Sequence, residues 1–312
     1  MDKKCMVTGA AGFIGSHLVE QLLIEGWTVI ALDDLSTGNL DNLSIALKNE
    51  HFHFVKADVT KLEQIDPLLF KDLDCVFHLA GKKMAFSVKF PREDLYANVT
   101  GTLNMLILAA EHGVKRFIIS STIAVYGDPE KPPSNESSAI VPTTPYGVSK
   151  FAAEEYCRLW FRQHKLPVVV LRYASVFGPR QAVNVGAVTV FLSKILNDEF
   201  ITVYGDGSFT RPFTYVGDVV RANILAATAE TKTVLGETFN VGSNRSVSIM
   251  ELINTLGLKL NKKPKINFVP PRLGELQHMA ADIGKIRKVL KFETAFSFEE
   301  GIARTVDYYA KK

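Results

Sequence analysis

A tyrosine and a lysine stand four residues apart in Tyr146-Gly-Val-Ser-Lys150, a spacing that puts both side chains on one face of a helix. A free phenol has a pKa of roughly 10 and is a poor base at neutral pH. A neighbouring ammonium favours the phenolate, so the pair has the chemistry of a general base. The same spacing recurs at Tyr308-Tyr-Ala-Lys-Lys312, which we interpret as a frayed, solvated C-terminus.

Hydroxyl side chains precede this pair, because Ser120-Ser121-Thr122 follow an apolar run that is typical of a buried strand. The carboxyl ends of parallel strands form the edge where α/β sheets bind ligands. Thr122 is therefore a candidate to relay a proton between a substrate and Tyr146. The alternative is a polar strand end next to a helix-start aromatic residue. His78, at another strand end, is interpreted as a core residue, and the seven histidines show no metal-ligand spacing.

A glycine-rich turn, Val7-Thr8-Gly9-Ala10-Ala11-Gly12-Phe13-Ile14-Gly15, joins the first apolar run to a helical pattern. Glycines let backbone N–H groups approach a pyrophosphate, and the positive end of the helix then faces that anion. The G-x-x-G-x-x-G spacing alone also fits a plain loop. Its context favours a dinucleotide site, because Asp33 ends the second apolar run, where an acid accepts hydrogen bonds from ribose hydroxyls.

The cofactor is predicted to be NAD rather than NADP. Asp34 follows Asp33, and no Arg or Lys comes before Lys48, so a 2′-phosphate would meet two carboxylates and no cation. The positive nicotinamide ring would then join Lys150 in favouring the phenolate of Tyr146. Asp58-Val59 could place a carboxylate at the adenine amino group, or Asp58 could cap a helix.

Short apolar runs alternate with helical patterns through the first half of the chain, which predicts an α/β fold with a doubly wound parallel sheet of the Rossmann type. We expect residues 1–175 to form the NAD-binding domain. Residues 176–312 are expected to be mainly a smaller C-terminal substrate-binding region, with some segments returning to the sheet. The predicted strands are Cys5–Val7, Thr28–Leu32, His51–Val55, Cys75–Leu79, Phe117–Ser120 and Val168–Leu171. The predicted helices are Gly12–Glu25, Thr60–Leu69, Arg92–His112 and Pro145–Gln163, then Asn223–Ala229, Met250–Leu256 and Gly301–Tyr309.

Composition excludes several classes of function. Among 312 residues, 36 Lys+Arg face 33 Asp+Glu, and the net charge of +3 is too weak to indicate a nucleic-acid or membrane partner. Hydrophobic residues make up 47% of the chain, but no run approaches the ~18 residues that span a bilayer. The N-terminal residues run straight into the glycine turn, so we expect no signal peptide. Three widely spaced cysteines fit reduced thiols, and we expect a cytoplasmic protein.

Seven ordered motifs resemble the extended short-chain dehydrogenase/reductases that act on nucleotide sugars, and among these the chain is most similar to the UDP-hexose 4-epimerases. The motifs are Thr8-Gly9-x-x-Gly12-Phe13-Ile14-Gly15, His78-Leu79-Ala80-Gly81, Thr122-Ile-Ala-Val-Tyr126-Gly127, Tyr146-x-x-x-Lys150, Leu171-Arg-Tyr173 with Gly178-Pro-Arg180, Arg211-Pro-Phe-Thr-Tyr-Val216, and Arg272-Leu-Gly-Glu275 with Asp282.

The resemblance implies an enzyme with NAD, a UDP-sugar substrate and a homodimer built from Arg92–His112 and Pro145–Gln163. The implied catalytic residues are Thr122, Tyr146 and Lys150. The implied NAD-binding residues are Gly9, Gly12, Phe13, Ile14, Gly15, Asp33, Asp34, Ser36, Thr37, Gly38, Asp58, Val59, Leu79, Ala80, Gly81, Lys83, Asn98, Tyr146, Lys150 and Tyr173. The implied substrate-binding residues are Thr122, Ser175, Thr202, Tyr204, Arg211, Arg272, Glu275 and Met279. Lys83, the two arginines and Met279 each have a plainer interpretation, as surface charges and a core methionine.

Local differences within the family favour epimerisation. The family's dehydratases carry an Asp-Glu pair, and its decarboxylases a Glu, where this chain has Ile123-Ala124, which cannot do acid–base chemistry. Ala174-Ser175 replaces the epimerases' usual Phe-Asn, and Pro212 replaces an Asp. A reductase or dehydratase of another nucleotide sugar is the alternative function. A non-catalytic dinucleotide-binding regulator is a remote one, because Tyr146 and Lys150 are both present.

Overall fold

The computed structural model of the protein describes residues 3–129, 132–271 and 279–311. Its strands, in chain order, are β1 (Lys4–Thr8), β2 (Thr28–Asp33), β3 (Phe52–Lys56), β4 (Cys75–His78), β5 (Phe117–Thr122), β6 (Val168–Tyr173), β7 (Ser175–Phe177), β8 (Phe200–Tyr204), β9 (Thr210–Arg211), β10 (Phe213–Tyr215), β11 (Glu237–Val241), β12 (Val247–Ser248) and β13 (Lys265–Val269). Its helices are α1 (Phe13–Ile24), α2 (Met84–Lys89), α3 (Pro91–Leu95), α4 (Gly101–Glu111), α5 (Pro145–His164), α6 (Ala187–Leu196), α7 (Val216–Thr228), α8 (Thr231–Val234), α9 (Ile249–Leu260), α10 (Gly284–Leu290) and α11 (Phe298–Tyr309).

The central sheet has seven strands in the order β11-β6-β5-β4-β1-β2-β3, and every neighbouring pair is parallel. All six predicted strands belong to it, so the prediction of a doubly wound parallel sheet is confirmed. Because the strands are parallel, the carboxyl ends of β1, β2, β4 and β5 lie on one edge. The glycine turn, Asp33, His78 and Thr122 therefore meet at that edge.

Two apolar layers cover the sheet, which explains why its strands are apolar runs without alternation. Leu18 and Leu22 of α1 pack with Val219 and Ala222 of α7 on one face. Residues of α4 and α5, including Met105, form the layer on the other face. Within the described ranges no helix is both long and apolar enough to cross a membrane.

The C-terminal region builds three small two-stranded sheets, β7–β10, β8–β13 and β9–β12, beside the main sheet. They share a separate apolar cluster that includes Phe177, Leu252 and Ile302. Strand β11 leaves this region and pairs with β6 in the main sheet, through contacts such as Phe239 with Leu171.

Three predicted helices differ from the structure, and one of them, Asn223–Ala229, covers only the second half of α7 (Val216–Thr228). Thr60–Leu69 is wrong as an α-helix, because the segment forms only two 3-10 turns, Leu62–Gln64 and Pro67–Phe70. Pro67 has no N–H to continue a helix, and the Asp66 carboxylate instead caps the second turn by accepting from Leu68 N. Arg92–His112 is helical, but a π-turn at Tyr96–Thr100 separates α3 from α4.

Both tyrosines of the second tyrosine–lysine motif belong to a helix rather than to a frayed C-terminus. Helix α11 runs to Tyr309, whose hydroxyl donates a hydrogen bond to the backbone carbonyl of Gln181. Tyr308 and Tyr309 both line a second cavity of about 440 Å³. The interpretation as a solvated C-terminus is therefore wrong for the tyrosines, while Lys312 lies outside the described residues.

Candidate active site

The glycine turn between β1 and α1 is too tightly packed for larger residues. Gly9 has φ +68°, and a Cβ there would lie 2.8 Å from Ala80 N. A Cβ at Gly15 would lie 2.1 Å from the Gly9 carbonyl oxygen. The turn therefore brings bare backbone to the cavity at the start of α1, as an anion-binding turn requires.

Asp33 stands at the end of β2, beside this turn. Its Oδ2 accepts a hydrogen bond from Ala11 N at 2.9 Å, and its Oδ1 accepts from Leu35 N at 2.8 Å. Burial raises the pKa of Asp33, and these two backbone N–H groups oppose the rise. The carboxylate is thus fixed in place, with its remaining lone pairs available to a ligand.

A cavity of about 720 Å³ runs from the glycine turn to the start of α5 and into the C-terminal region. Most of the predicted cofactor residues line it. These are Gly9, Gly12, Phe13, Ile14, Gly15, Asp33, Asp34, Ser36, Thr37, Asp58, Val59, Leu79, Ala80, Gly81, Lys83, Tyr146, Lys150 and Tyr173. Gly38 and Asn98 are not among the lining residues. Gly38 instead packs against Asp33, where a Cβ would lie 2.7 Å from Oδ1.

Asp58 makes capping contacts, and its proposed contact with the adenine amino group stays a prediction. Its Oδ1 accepts hydrogen bonds from Thr60 N at 2.9 Å and Thr60 Oγ1 at 2.8 Å, so it caps the turn that follows β3. It also lines the cavity. The capping contacts occupy Oδ1 and leave Oδ2 as the oxygen for a ligand amine.

Asn98 lies in the π-turn and connects the loop after β4 to helix α5. Its Oδ1 accepts from Lys82 N at 3.0 Å, and its Nδ2 donates to Asp94 at 2.8 Å and to Ser149 at 2.9 Å. A Cβ on Gly81 would lie 2.5 Å from the same Oδ1. Asn98 therefore holds the backbone of residues 81 and 82 in place, and these two residues line the cavity.

Tyr146 and Lys150 project from the first turns of α5 at the carboxyl edge of the sheet. Thr144 caps this helix, its Oγ1 accepting from Gly147 N at 3.1 Å. Burial raises the pKa of Tyr146 to about 12, with Asp94 adding to the rise and a hydrogen bond with Thr122 opposing it. Burial lowers the pKa of Lys150 to about 8, against the attraction of Glu154, Cys157 and Asp94. The structure thus brings Thr122, Tyr146 and Lys150 together. In the protein without cofactor, the phenol of Tyr146 is neutral.

His78 is held neutral beneath the cavity. Burial, aided by Lys150, lowers its pKa to about 3. Thr8 Oγ1 lies 2.8 Å from its Nδ1, and Thr102 Oγ1 lies 3.0 Å from its Nε2. Thr102 donates its own proton to Asn98 O at 2.6 Å, so Nε2 carries the proton that Thr102 accepts. The interpretation of His78 as a satisfied core residue agrees with this geometry.

The predicted substrate residues that the structure describes, Thr122 included, are not among the residues that line this cavity. Ser175 is in β7, Thr202 and Tyr204 are in β8, and Arg211 in β9 donates from Nη1 to Thr210 O at 2.9 Å. Met279 packs on the apolar cluster that contains Ile123, Val125 and Ala174. Arg272 and Glu275 lie outside the described residues.

A sequence model of the NAD-dependent epimerase/dehydratase family matches residues 5–242, about three quarters of the chain. The chain belongs to this family. NAD is accordingly its cofactor, and the fold agrees with that of solved structures that resemble it across their whole length.

Three relatives of this NAD-dependent epimerase/dehydratase illustrate the similarity. The UDP-glucose 4-epimerase of Mycolicibacterium smegmatis is 36% identical over 313 residues and covers 99% of both chains. A crystal structure of UDP-glucose 4-epimerase with UDP-glucose, from Thermotoga maritima, has a TM-score of 0.92, 36% identity and 99% coverage of both chains. UDP-glucuronic acid 4-epimerase from Bacillus cereus, solved with UDP-glucuronic acid and NAD, has a TM-score of 0.92, 32% identity and 99% coverage of both.

The donor groups that line the cavity fit NAD. The first residues of α1, Phe13 and Ile14, line the cavity and offer helix N-terminal N–H groups for the diphosphate, and Asp33 offers fixed carboxylate oxygens for the ribose hydroxyls. We propose that Asp58 would hold the adenine end, and that Lys150 and Tyr173 would border the nicotinamide end. NAD bound in this way would supply a hydride acceptor next to Tyr146.

Sequence reasoning missed several residues that line the cavity of this epimerase/dehydratase. They include Lys82, Glu93, Tyr96, Ala97, Thr100, Val176, Gln181 and Val185. Gln181 directly follows the Gly178-Pro-Arg180 motif, which was a usable signal. The others come from helices and loops whose approach to the cavity depends on packing between distant segments.

Proposed function

We propose that this protein is an NAD-dependent 4-epimerase of a UDP-hexose, interconverting UDP-glucose and UDP-galactose and also their N-acetylated counterparts. The observation that carries the proposal is the assembly of Thr122, Tyr146 and Lys150 next to an apolar neighbour pair. Ile123 and Ala124 are each only 6% exposed and carry no acid that could remove a hydroxyl or a carboxylate. The comparisons support a nucleotide-sugar 4-epimerase, because the relatives above are named for that reaction on different UDP-sugars.

In the proposed reaction Tyr146 takes the proton of the sugar 4-hydroxyl, directly or through Thr122. Lys150, one helical turn away, stabilises the phenolate that this step requires. NAD, when bound, would supply the site that accepts the C4 hydride and gives it back to the opposite face of the 4-keto sugar. The net redox change is zero, so the cavity must keep its cofactor throughout the cycle.

The C-terminal region would bind the UDP part of the substrate. Arg211, and Arg272 in the undescribed segment, are the proposed partners of the diphosphate, since planar guanidinium groups match phosphate oxygens. Glu275 would accept from the uridine ribose, while Thr202 and Tyr204 would border uracil. Ser175 offers a hydroxyl where the family's epimerases use an amide.

The test is incubation of purified protein with UDP-galactose and, separately, with UDP-N-acetylgalactosamine. We expect conversion to the corresponding gluco sugars without net accumulation of NADH. Chromatography against standards measures this conversion. A product that has lost water would indicate a dehydratase, and stoichiometric NADH consumption would indicate a reductase. Recovery of both substrates unchanged would contradict the proposed activity.

Met279 is the proposed determinant of substrate breadth. It is half-buried, its N–H donates to Thr210 O at 3.3 Å, and its side chain packs near the residues that follow Thr122. Methionine is flexible and can vacate space for an N-acetyl group, whereas a tyrosine ring cannot. Met279→Tyr should therefore lower kcat/KM for the N-acetylated substrate by about tenfold more than for the plain one. Met279→Leu is the control, and equal losses on both substrates would identify Met279 as a packing residue.

A homodimer is the proposed assembly, with the two segments Arg92–His112 and Pro145–Gln163 at the interface. Within these segments Leu108 and Ala153 are buried in the core of the subunit and are not available for an interface. Other apolar side chains of these segments are exposed, among them Leu95 at 49%, Tyr96 at 56% and Val148 at 52%. An apolar face of this kind is typical of an interface.

Light scattering of the wild type should give twice the chain mass of 34.5 kDa at micromolar concentration. Leu95→Arg should shift the protein towards the monomer, because it places a charge in the apolar contact. Leu68→Arg is the matched control, since Leu68 is 69% exposed in a different part of the chain. A monomeric wild type, or equal behaviour of the two variants, would rule out this interface.

A further inference from the structure

Lys82 joins the two loops that border the cofactor cavity. Its Nζ donates a hydrogen bond to Ser36 Oγ at 2.9 Å. Ser36 follows β2 and Lys82 follows β4, and β1 lies between these strands in the sheet. The bond therefore passes over the end of β1, where the glycine turn begins. Both residues line the cavity, so the bond crosses its rim rather than a remote surface.

Both ends of this bridge are fixed to the protein. Ser36 donates its hydroxyl to Asp34 Oδ1 at 2.8 Å, and its N–H donates to the same oxygen at 2.9 Å. The backbone N–H of Lys82 donates to Asn98 Oδ1 at 3.0 Å, and its ammonium lies 5.6 Å from the centre of the Phe86 ring. A bond between two anchored loops restrains them both, whereas a freely solvated lysine would restrain neither.

The bridge also brings positive charge to the acidic side of the cavity. Burial raises the pKa of Asp33, and the Lys82 ammonium is among the groups that oppose this rise. The sequence shows no cation near Asp33 and Asp34, but the folded protein brings one close to them. The expectation that a 2′-phosphate would meet no cation there is therefore wrong. The fold supplies one from a loop about fifty residues away.

We propose that Lys82 is a further cofactor-binding residue, which closes the cavity over NAD through its bridge to Ser36 and slows the release of the cofactor. The ammonium lies on the acidic side of the cavity near Asp33, where the ribose hydroxyls of the dinucleotide are expected to bind. NAD must break the Lys82–Ser36 bond to enter or leave between the two loops. A reaction that returns the hydride to the same substrate benefits from such retention, but the binding role stands on the cavity geometry alone.

The experiment measures NAD release directly, without any sugar. Wild-type protein loaded with the fluorescent analogue etheno-NAD is mixed with excess NAD, and the dissociation rate is followed by fluorescence. Lys82→Met removes the ammonium but keeps the aliphatic stem, and Ser36→Ala removes its partner. Each should raise the dissociation rate about fivefold, as expected for a charged hydrogen bond that is partly exposed.

Two controls decide whether the bridge acts as a unit. The double variant should release the analogue no faster than either single variant, because both remove the same bond. Lys89→Met takes the same charge from the exposed end of α2 and should match the wild type. Circular dichroism shows whether each variant is folded, and equilibrium titration with NAD should show matching losses of affinity.

An unchanged rate in Lys82→Met, an unchanged rate in Ser36→Ala, or multiplied effects in the double variant would each overturn the proposal. These results are independent of whether the sugar assay succeeds.

Discussion

Tyr146→Phe should lower kcat by about a thousandfold, the usual size of a lost general base. The change removes only the hydroxyl, and the ring keeps its place at the start of α5. NAD content should stay at the wild-type level, because the glycine turn and Asp33 are untouched. The loss should therefore fall on kcat with little change in KM. The measurement is steady-state epimerisation of UDP-galactose, together with the absorbance of NAD released on denaturation.

Tyr308→Phe provides a control from the same chain. Tyr308 has the same spacing to a lysine, but it lines the second cavity at the end of α11 rather than the cofactor cavity. We expect wild-type turnover from this variant. If Tyr146→Phe retained most of its activity, the proton would have to move through Thr122 or another group, and the proposed role of the phenol would be wrong.

The strands and the placement of Tyr146 and Lys150 on one face of a helix were predictable because their signals are local. Buried parallel strands are short apolar runs, and a tyrosine and a lysine four residues apart must share a helix face. The glycine turn was predictable for the same reason, since its residues contact one another and the loop that follows β4. Each of these features depends on side chains that lie within a few residues or in neighbouring strands.

The remaining features depend on packing between distant segments. The π-turn at Tyr96–Thr100 contains no Gly or Pro that would mark it, so the sequence pattern could not distinguish it from continuous α-helix. The bridge from Lys82 to Ser36 appears only once β4 and β2 are placed on either side of β1. The proton state of Tyr146 was also beyond the sequence. Lysine spacing suggested a lowered pKa, whereas burial and Asp94 raise it to about 12 in the protein alone.

Lys150 is buried at a cost to stability, and its removal should show this cost. The side chain is 4% exposed, and burial lowers its pKa from the ordinary 10.5 to about 8. At a pH below the pKa of Lys150 in the folded protein, its ammonium is charged in both the folded and the unfolded protein. The folded protein then bears the whole free-energy cost of burying this charge, about 3 kcal/mol. Between these two values the folded protein releases the proton first, so wild-type stability rises with pH. Above 10.5 the penalty is gone.

Lys150→Met should therefore make the apoprotein more stable near neutral pH, by up to about 3 kcal/mol, while activity falls. Neither nearby acid loses its last partner, because Glu154 keeps Arg172 at 2.6 Å and Asp94 keeps Asn98 and Ser149. Urea unfolding at several pH values measures the effect, and the advantage of the variant should shrink as pH rises from about 8 to 10.5. Lys89→Met, which replaces an exposed lysine, should show no such dependence on pH.

A Lys150→Met protein less stable than wild type near neutral pH would mean that the attraction of Asp94 and Glu154 for the ammonium exceeds the cost of burying it. Lys150 would then be a structural ion-pair partner rather than a charge that the fold retains for catalysis.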